Sequence, residues 1–147
     1  MREFMRAICR NNRGSAIALS ERYLGETNET NYSPLMIGKE YAVYALLFIR
    51  DRVDFLILAE ESAPFWAPSS LFDLIDSQIP DGWSFSFAKS SPGYGALFDA
   101  FGINCIIGYS LLIEDYEHYV GLIEGRSEEL QRFFEINHRA DSIPHHL

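Results

Sequence analysis

Gly38-Lys39-Glu40-Tyr41-Ala42-Val43-Tyr44-Ala45-Leu46-Leu47-Phe48-Ile49 runs into Arg50-Asp51-Arg52 and then Val53-Asp54-Phe55-Leu56-Ile57-Leu58-Ala59. Two apolar runs rich in β-branched and aromatic residues, joined by a short charged link, predict a β-hairpin. Neither run alternates cleanly, so each is expected to be buried at least in part on both faces. Downstream, Pro64 and Pro68 bracket Phe65-Trp66-Ala67, a stiff irregular connection. Residues 71–76 read as a strand, with a single helical turn as the alternative. Ile79-Pro80-Asp81-Gly82 is a turn signal. Trp83, Phe85 and Phe87 then alternate with Ser84 and Ser86. That spacing predicts a strand with its aromatic face buried and its serine face wet.

Outward from this block, residues 6–12 read as a short strand closed by the turn-rich Asn11-Asn12-Arg13-Gly14. Residues 15–24 suit a strand or a short helix, and 25–34 a polar loop. Residues 90–95 form a loop and 103–112 a further strand. The period then changes. Tyr116, Tyr119, Val120 and Ile123 follow i, i+3, i+4, i+7, an amphipathic helix with Glu114, Asp115 and Glu117 in its first turn. Gly125 stops it, and Ser127 caps a second helix whose inward stripe is Leu130, Phe133 and Phe134. The tail from Asp141 is expected to fray.

Strands first and helices last argue for an α+β domain spanning 1–147. The expected architecture is a small, strongly bent antiparallel sheet or an SH3-like barrel with a C-terminal helical hairpin. At 147 residues the chain can bury a sizeable core, and 48% apolar and 14% aromatic residues suit a sheet-rich one.

The net charge of −9 sets the classes of partner. Arg2, Arg6, Arg10, Arg13 and Arg22 face only Glu3 and Glu21 in the first 25 residues, so the body is more acidic still. Nucleic-acid binding needs a basic stripe, which the body lacks. A basic protein partner fits instead. No apolar run reaches transmembrane length, and Arg6, Arg10 and Arg13 interrupt any signal-peptide core. Two widely spaced cysteines, Cys9 and Cys105, read as buried free thiols in a reducing cytoplasm.

Motifs for chemistry are sparse. No glycine-rich segment is followed by Lys-Ser or Lys-Thr, so there is no phosphate loop. Gly14-Ser15-Ala16-Ile17-Ala18 lacks the last glycine of a nucleophile elbow. His118 with Glu114 and Asp115 has the spacing for one divalent ion, but a solvated acidic turn with His118 on its exposed side is favoured. His145-His146 reads as incidental. Cys9 or Cys105 with His118 is a conceivable nucleophile pair that nothing in the sequence brings together. Glu60-Glu61, Asp73 with Asp76, and Glu114-Asp115 read as solvated surface. No cofactor or metal is expected. Trp66 and Trp83 are favoured as core residues, with a pocket near them as the alternative.

The stretches 38–44, 64–68, 71–72, 79–83 and 108–119 together resemble small acidic bacterial proteins of the toxin-immunity kind, over about 39–134. The resemblance is structural in type and implies no catalytic residue. The expected function is therefore a non-enzymatic interaction module, of the immunity-protein or antitoxin kind, that neutralises a basic toxin. Its contacts would be Asp51, Asp54, Glu60, Glu61, Trp66, Asp73 and Asp76. A small-ligand binding or regulatory domain is the alternative, and an enzyme of unrecognised type the second.

Overall fold

The computed structural model describes residues 5–59 and 63–137. Its strands are β1 (Met5–Cys9), β2 (Glu40–Ile49), β3 (Arg52–Ile57), β4 (Phe65–Pro68), β5 (Phe72–Asp76), β6 (Trp83–Phe87) and β7 (Ile103–Tyr109). The helices are α1 (Gly95–Phe101), α2 (Ser110–Glu114), α3 (Tyr116–Glu124) and α4 (Ser127–Asn137). All strand pairings are antiparallel, in the order β4-β3-β2-β1-β5, with β7 also on β2 and β6 on β7. The class is α+β. The sheet bends strongly but stays open, so the bent sheet and not the closed barrel is what forms.

β2 organises the whole sheet. One edge carries β3, and the other carries β1 along its first half and β7 along its second. The register with β3 shifts between Val43 and Leu46. A bulge there changes the phase of the alternation. Tyr41, Val43 and Leu46 face one core, while Ala42, Tyr44, Ala45, Leu47 and Ile49 face the other. The uneven apolar pattern of β2 thus has two causes: burial on both faces and one extra residue. The hairpin turn is Arg50-Asp51, with Arg50 at φ 53°, the left-handed region a tight two-residue turn needs.

The two cores lie on opposite faces. On one, Leu112, Tyr119, Leu122 and Phe133 of the helices cover Tyr44, Leu47, Ile49 and Ile106. On the other, Ile17 and Leu35 from the segment between β1 and β2 cover Ala7, Val43, Ile57 and Leu71. Each fully buried Ile, Leu or Phe contributes roughly 2 kcal/mol by leaving water. Residues 15–24, expected as one strand or helix, make two short 3-10 turns, Gly14–Ala16 and Leu19–Glu21. The expected strand over 103–112 ends at Tyr109, where α2 takes over.

The expected helical hairpin forms as α3 and α4. Asp115 caps α3, accepting from the backbone N–H of Glu117 and His118, and Gly125 closes it in the left-handed conformation. The buried face of α3 is His118, Tyr119, Gly121 and Leu122, while Ile123 of the expected stripe is exposed. Phe133 of α4 is buried, and Leu130 and Phe134 pack beside it. Among the described residues no helix is long and apolar enough to cross a membrane. The expected fraying tail lies outside the described residues.

Candidate functional site

β6 corrects the expectation most sharply. Phe85 and Phe87 are each 60% exposed, while Ser84 and Ser86 are half-buried. Period-2 alternation tells which residues share a face but not which face is covered. Here α2 packs against β6, and the Ser86 and Ser91 hydroxyls hydrogen-bond to each other. The serines therefore face the helical layer. Trp83 alone of the aromatic face reaches both cores.

The cross-strand registers place Phe55, Leu46, Ile107 and Phe85 in one row, and Val53, Phe48, Cys105 and Phe87 in the next. At the β2–β3 end of these rows the sheet bends into an apolar groove of about 500 Å³. Met5, Leu46, Phe48, Phe55 and Phe72 form its floor, with Leu74 and Ile79 on its rim. That volume is within the range that holds a small ligand or a few side chains. Leu74 and Ile79 are about half exposed, so the groove opens to solvent. The flanking stretch Phe72-Asp73-Leu74-Ile75-Asp76-Ser77-Gln78-Ile79-Pro80-Asp81 carries three acids and no base. The groove is apolar inside and acidic at its border. β1 sets two arginines beside these acids: Arg10 Nε lies 2.8 Å from Asp73 Oδ2, and Arg6 is the cross-strand partner of Asp76.

The expected contacts divide among several places. Asp73 lines the groove, and Asp76 closes the same strand, accepting from the Gln78 N–H at 2.9 Å. Asp51 sits exposed in the hairpin turn and accepts from the Tyr23 hydroxyl. Asp54 is a correction. It is buried beside Arg52, with Nε–Oδ1 2.7 Å and Nη2–Oδ2 3.0 Å, and Arg52 also reaches Glu26 Oε2 at 2.8 Å. Burial pushes the Asp54 carboxyl up, against the opposing pull of Arg52. Burial also works against the Arg52 charge, but Asp54 and Glu26 outweigh it and hold Arg52 protonated. At 1% exposure Asp54 is closed to a binding partner. Trp66 is half-buried on the helical face, its ring 6.3 Å from that of Tyr119, away from the groove. Glu60 and Glu61 lie outside the described residues, as do His145 and His146.

His118 is the second correction. It is fully buried, not solvated. Its Nε2 is 2.8 Å from the Tyr109 hydroxyl, and its Nδ1 is 2.7 Å from Glu129 Oε1. Arg132 Nη1 holds the same carboxylate at 3.1 Å. A carboxylate–imidazole–hydroxyl string is the grammar of general acid–base chemistry. Here no ring atom reaches solvent or the groove, and burial pushes the Tyr109 hydroxyl up. The string fastens α3 and α4 to β7. Among the described residues no three His, Cys, Asp or Glu side chains are placed to hold a metal ion. Burial also pushes both thiols up, away from the nucleophilic thiolate, and Cys9 Sγ donates to the Asn11 carbonyl at 3.1 Å.

Sequence reasoning missed the groove floor, whose residues read individually as core. The available signal was the acid-only stretch beside exposed Leu74 and Ile79. Comparison with protein-family models, curated proteins and solved structures gives no match to this chain.

Proposed function

We propose that this protein is a non-enzymatic interaction module that neutralises a basic protein partner, as an immunity protein or antitoxin does. The observation that carries this reading is the open apolar groove with Asp73 in its lining and Asp76 and Asp81 in the adjoining stretch of chain. Its partner is a protein segment with one or two apolar side chains for the groove and Lys or Arg at its flanks. The acidic border and the net charge of −9 would speed encounter, and desolvation of the apolar anchor would slow release. His118 and Tyr109 of the carboxylate–imidazole–hydroxyl string are buried, so the proposed binding does not use them.

The test is affinity capture from the native host with wild-type and Leu74→Asp baits, at low and moderate salt. Leu74 is about half exposed, so the substitution is expected to keep the fold, which circular dichroism of the bait checks. The reading expects one dominant basic protein, lost at moderate salt and absent from the Leu74→Asp bait. Capture that is indifferent to Leu74, or an acidic partner, contradicts it. A second reading, a small apolar ligand, is favoured by the groove volume alone. It expects a thermal shift with apolar ligands that Leu74→Asp abolishes.

A further inference from the structure

Three strands, β4, β5 and β6, pair on one side only within the described sheet. Exposed edges invite another strand, and proteins commonly block them with proline or charge. β4 is flanked by Pro64 and ends in Pro68, which offer no N–H. β5 carries Asp73 and Asp76, so two copies meeting along it would set like charges together. β6 has neither device, but its ends are tied off: the Trp83 N–H donates to the Pro80 carbonyl, and the Phe87 carbonyl accepts from the Ser90 and Ser91 hydroxyls, so the pairing centres on Phe85. Trp83-Ser84-Phe85-Ser86-Phe87 holds no proline, glycine or charge.

The same strand reads alike in both directions, aromatic alternating with serine. Antiparallel pairing about a two-fold axis at Phe85 sets Phe85 against its own copy, Ser84 against Ser86, and Trp83 against Phe87. Aromatic meets aromatic on one face, and hydroxyl meets hydroxyl on the other. Such an isologous contact closes on itself. In a chain of net charge −9, self-association needs an uncharged meeting surface, and β6 is the described edge strand that supplies one without proline. The geometry points to β6 as the interface of a two-fold homodimer, its occupant a second copy of this chain.

Magnitude sets the strength. Two phenylalanines, each 60% exposed, offer roughly 250 Å² of aromatic surface per copy. Stable complexes bury about 800 Å² per partner. The dimer is therefore weak, forming toward high micromolar concentration.

Sedimentation equilibrium on the full chain tests this. Wild type is expected to pass from monomer to dimer across the micromolar range. Phe85→Glu, which sets two charges face to face on the axis, is expected to stay monomeric while keeping its circular dichroism. Register has its own readout in a Cys105→Ala background. Phe85→Cys is expected to cross-link to a disulfide dimer on mild oxidation, because each copy meets itself there. Phe87→Cys, equally exposed, meets Trp83 instead and is expected to cross-link far more slowly. A monomer at every concentration overturns the proposal. So do equal cross-linking of the two cysteines and mass that grows past two copies. None of these results depends on whether the groove has a partner.

Discussion

Arg52 and Asp54 stand two residues apart on β3, point to the same face of the sheet, and make a two-pronged ion pair with 3% and 1% of their side chains exposed. Arg52 extends past that pair to the Glu21 carbonyl at 3.0 Å and to the Glu26 carboxylate at 2.8 Å. One guanidinium thus ties the long connection between β1 and β2 onto the helical face of β3. That connection has only short 3-10 turns and one isolated bridge, Arg13 to Asn31, of its own, so such ties add to its order.

Arg52→Met leaves Asp54 and Glu26 buried without their counterion. The expected loss is about 3–5 kcal/mol of unfolding free energy, measured by urea denaturation. Removing all three charges together, as Arg52→Met with Asp54→Leu and Glu26→Gln, is expected to cost much less. A triple variant as unstable as the single one would show that the charges are not what hold this connection.

His118→Ala removes a side chain that satisfies both Tyr109 and Glu129. The unpaired hydroxyl and the void together are expected to cost about 3 kcal/mol. Binding at the groove, on the opposite face of the sheet, is expected to stay unchanged once the protein is folded. A loss of binding without a loss of stability would instead place His118 at a working site.

Gly14 packs so closely that a Cβ would lie 1.9 Å from the Thr27 carbonyl oxygen. Backbone cannot yield as a flexible side chain does. Gly14→Ala is expected to cost about 1–3 kcal/mol and to raise hydrogen exchange at Gly14, whose N–H donates to the Thr30 carbonyl at 2.7 Å. Unchanged exchange there would contradict the packing described.

High pH has a determined sign. Burial, followed by the nearby Glu26 charge, pushes the Tyr32 hydroxyl up to about 12, and burial raises Tyr94, Tyr109 and Tyr119 as well. In the unfolded chain these groups ionise near pH 10. A raised folded value means stability present below pH ~10 that is lost as pH climbs through the folded values. Tyrosinate absorbance is expected to show part of the eight tyrosines ionising only as the circular dichroism collapses. Smooth ionisation of all eight with the fold intact would contradict the burial described.

Much of the fold was legible because it rests on local pattern. The β2–β3 hairpin, β5, β6 and both C-terminal helices follow from apolar runs, turn residues and caps. Facing was not legible. The alternation of β6 is symmetric between its faces, and only the packing of α2 decides which is covered. The expected stripe of α3 held at Tyr116, Tyr119 and Val120 but not at Ile123, and it missed His118, which is polar in sequence but becomes a core residue once Tyr109 and Glu129 satisfy both ring nitrogens. Asp54 misled for a similar reason, since a carboxylate two residues from an arginine on one strand face can be buried as a pair. The groove depends on where the β5–β6 connection lies over β2 and β3, a relation between segments more than twenty residues apart. The acidic border alone could be read locally, and Asp73 and Asp76 were.

The most direct test of the groove as the binding site is the salt dependence of affinity for the captured partner, compared among wild type, Leu74→Asp and Asp76→Lys. The account predicts at least a tenfold loss for Leu74→Asp. For Asp76→Lys it predicts slower association with a flatter salt dependence. Wild-type affinity in both variants would contradict the account and move the binding site off this face of the sheet.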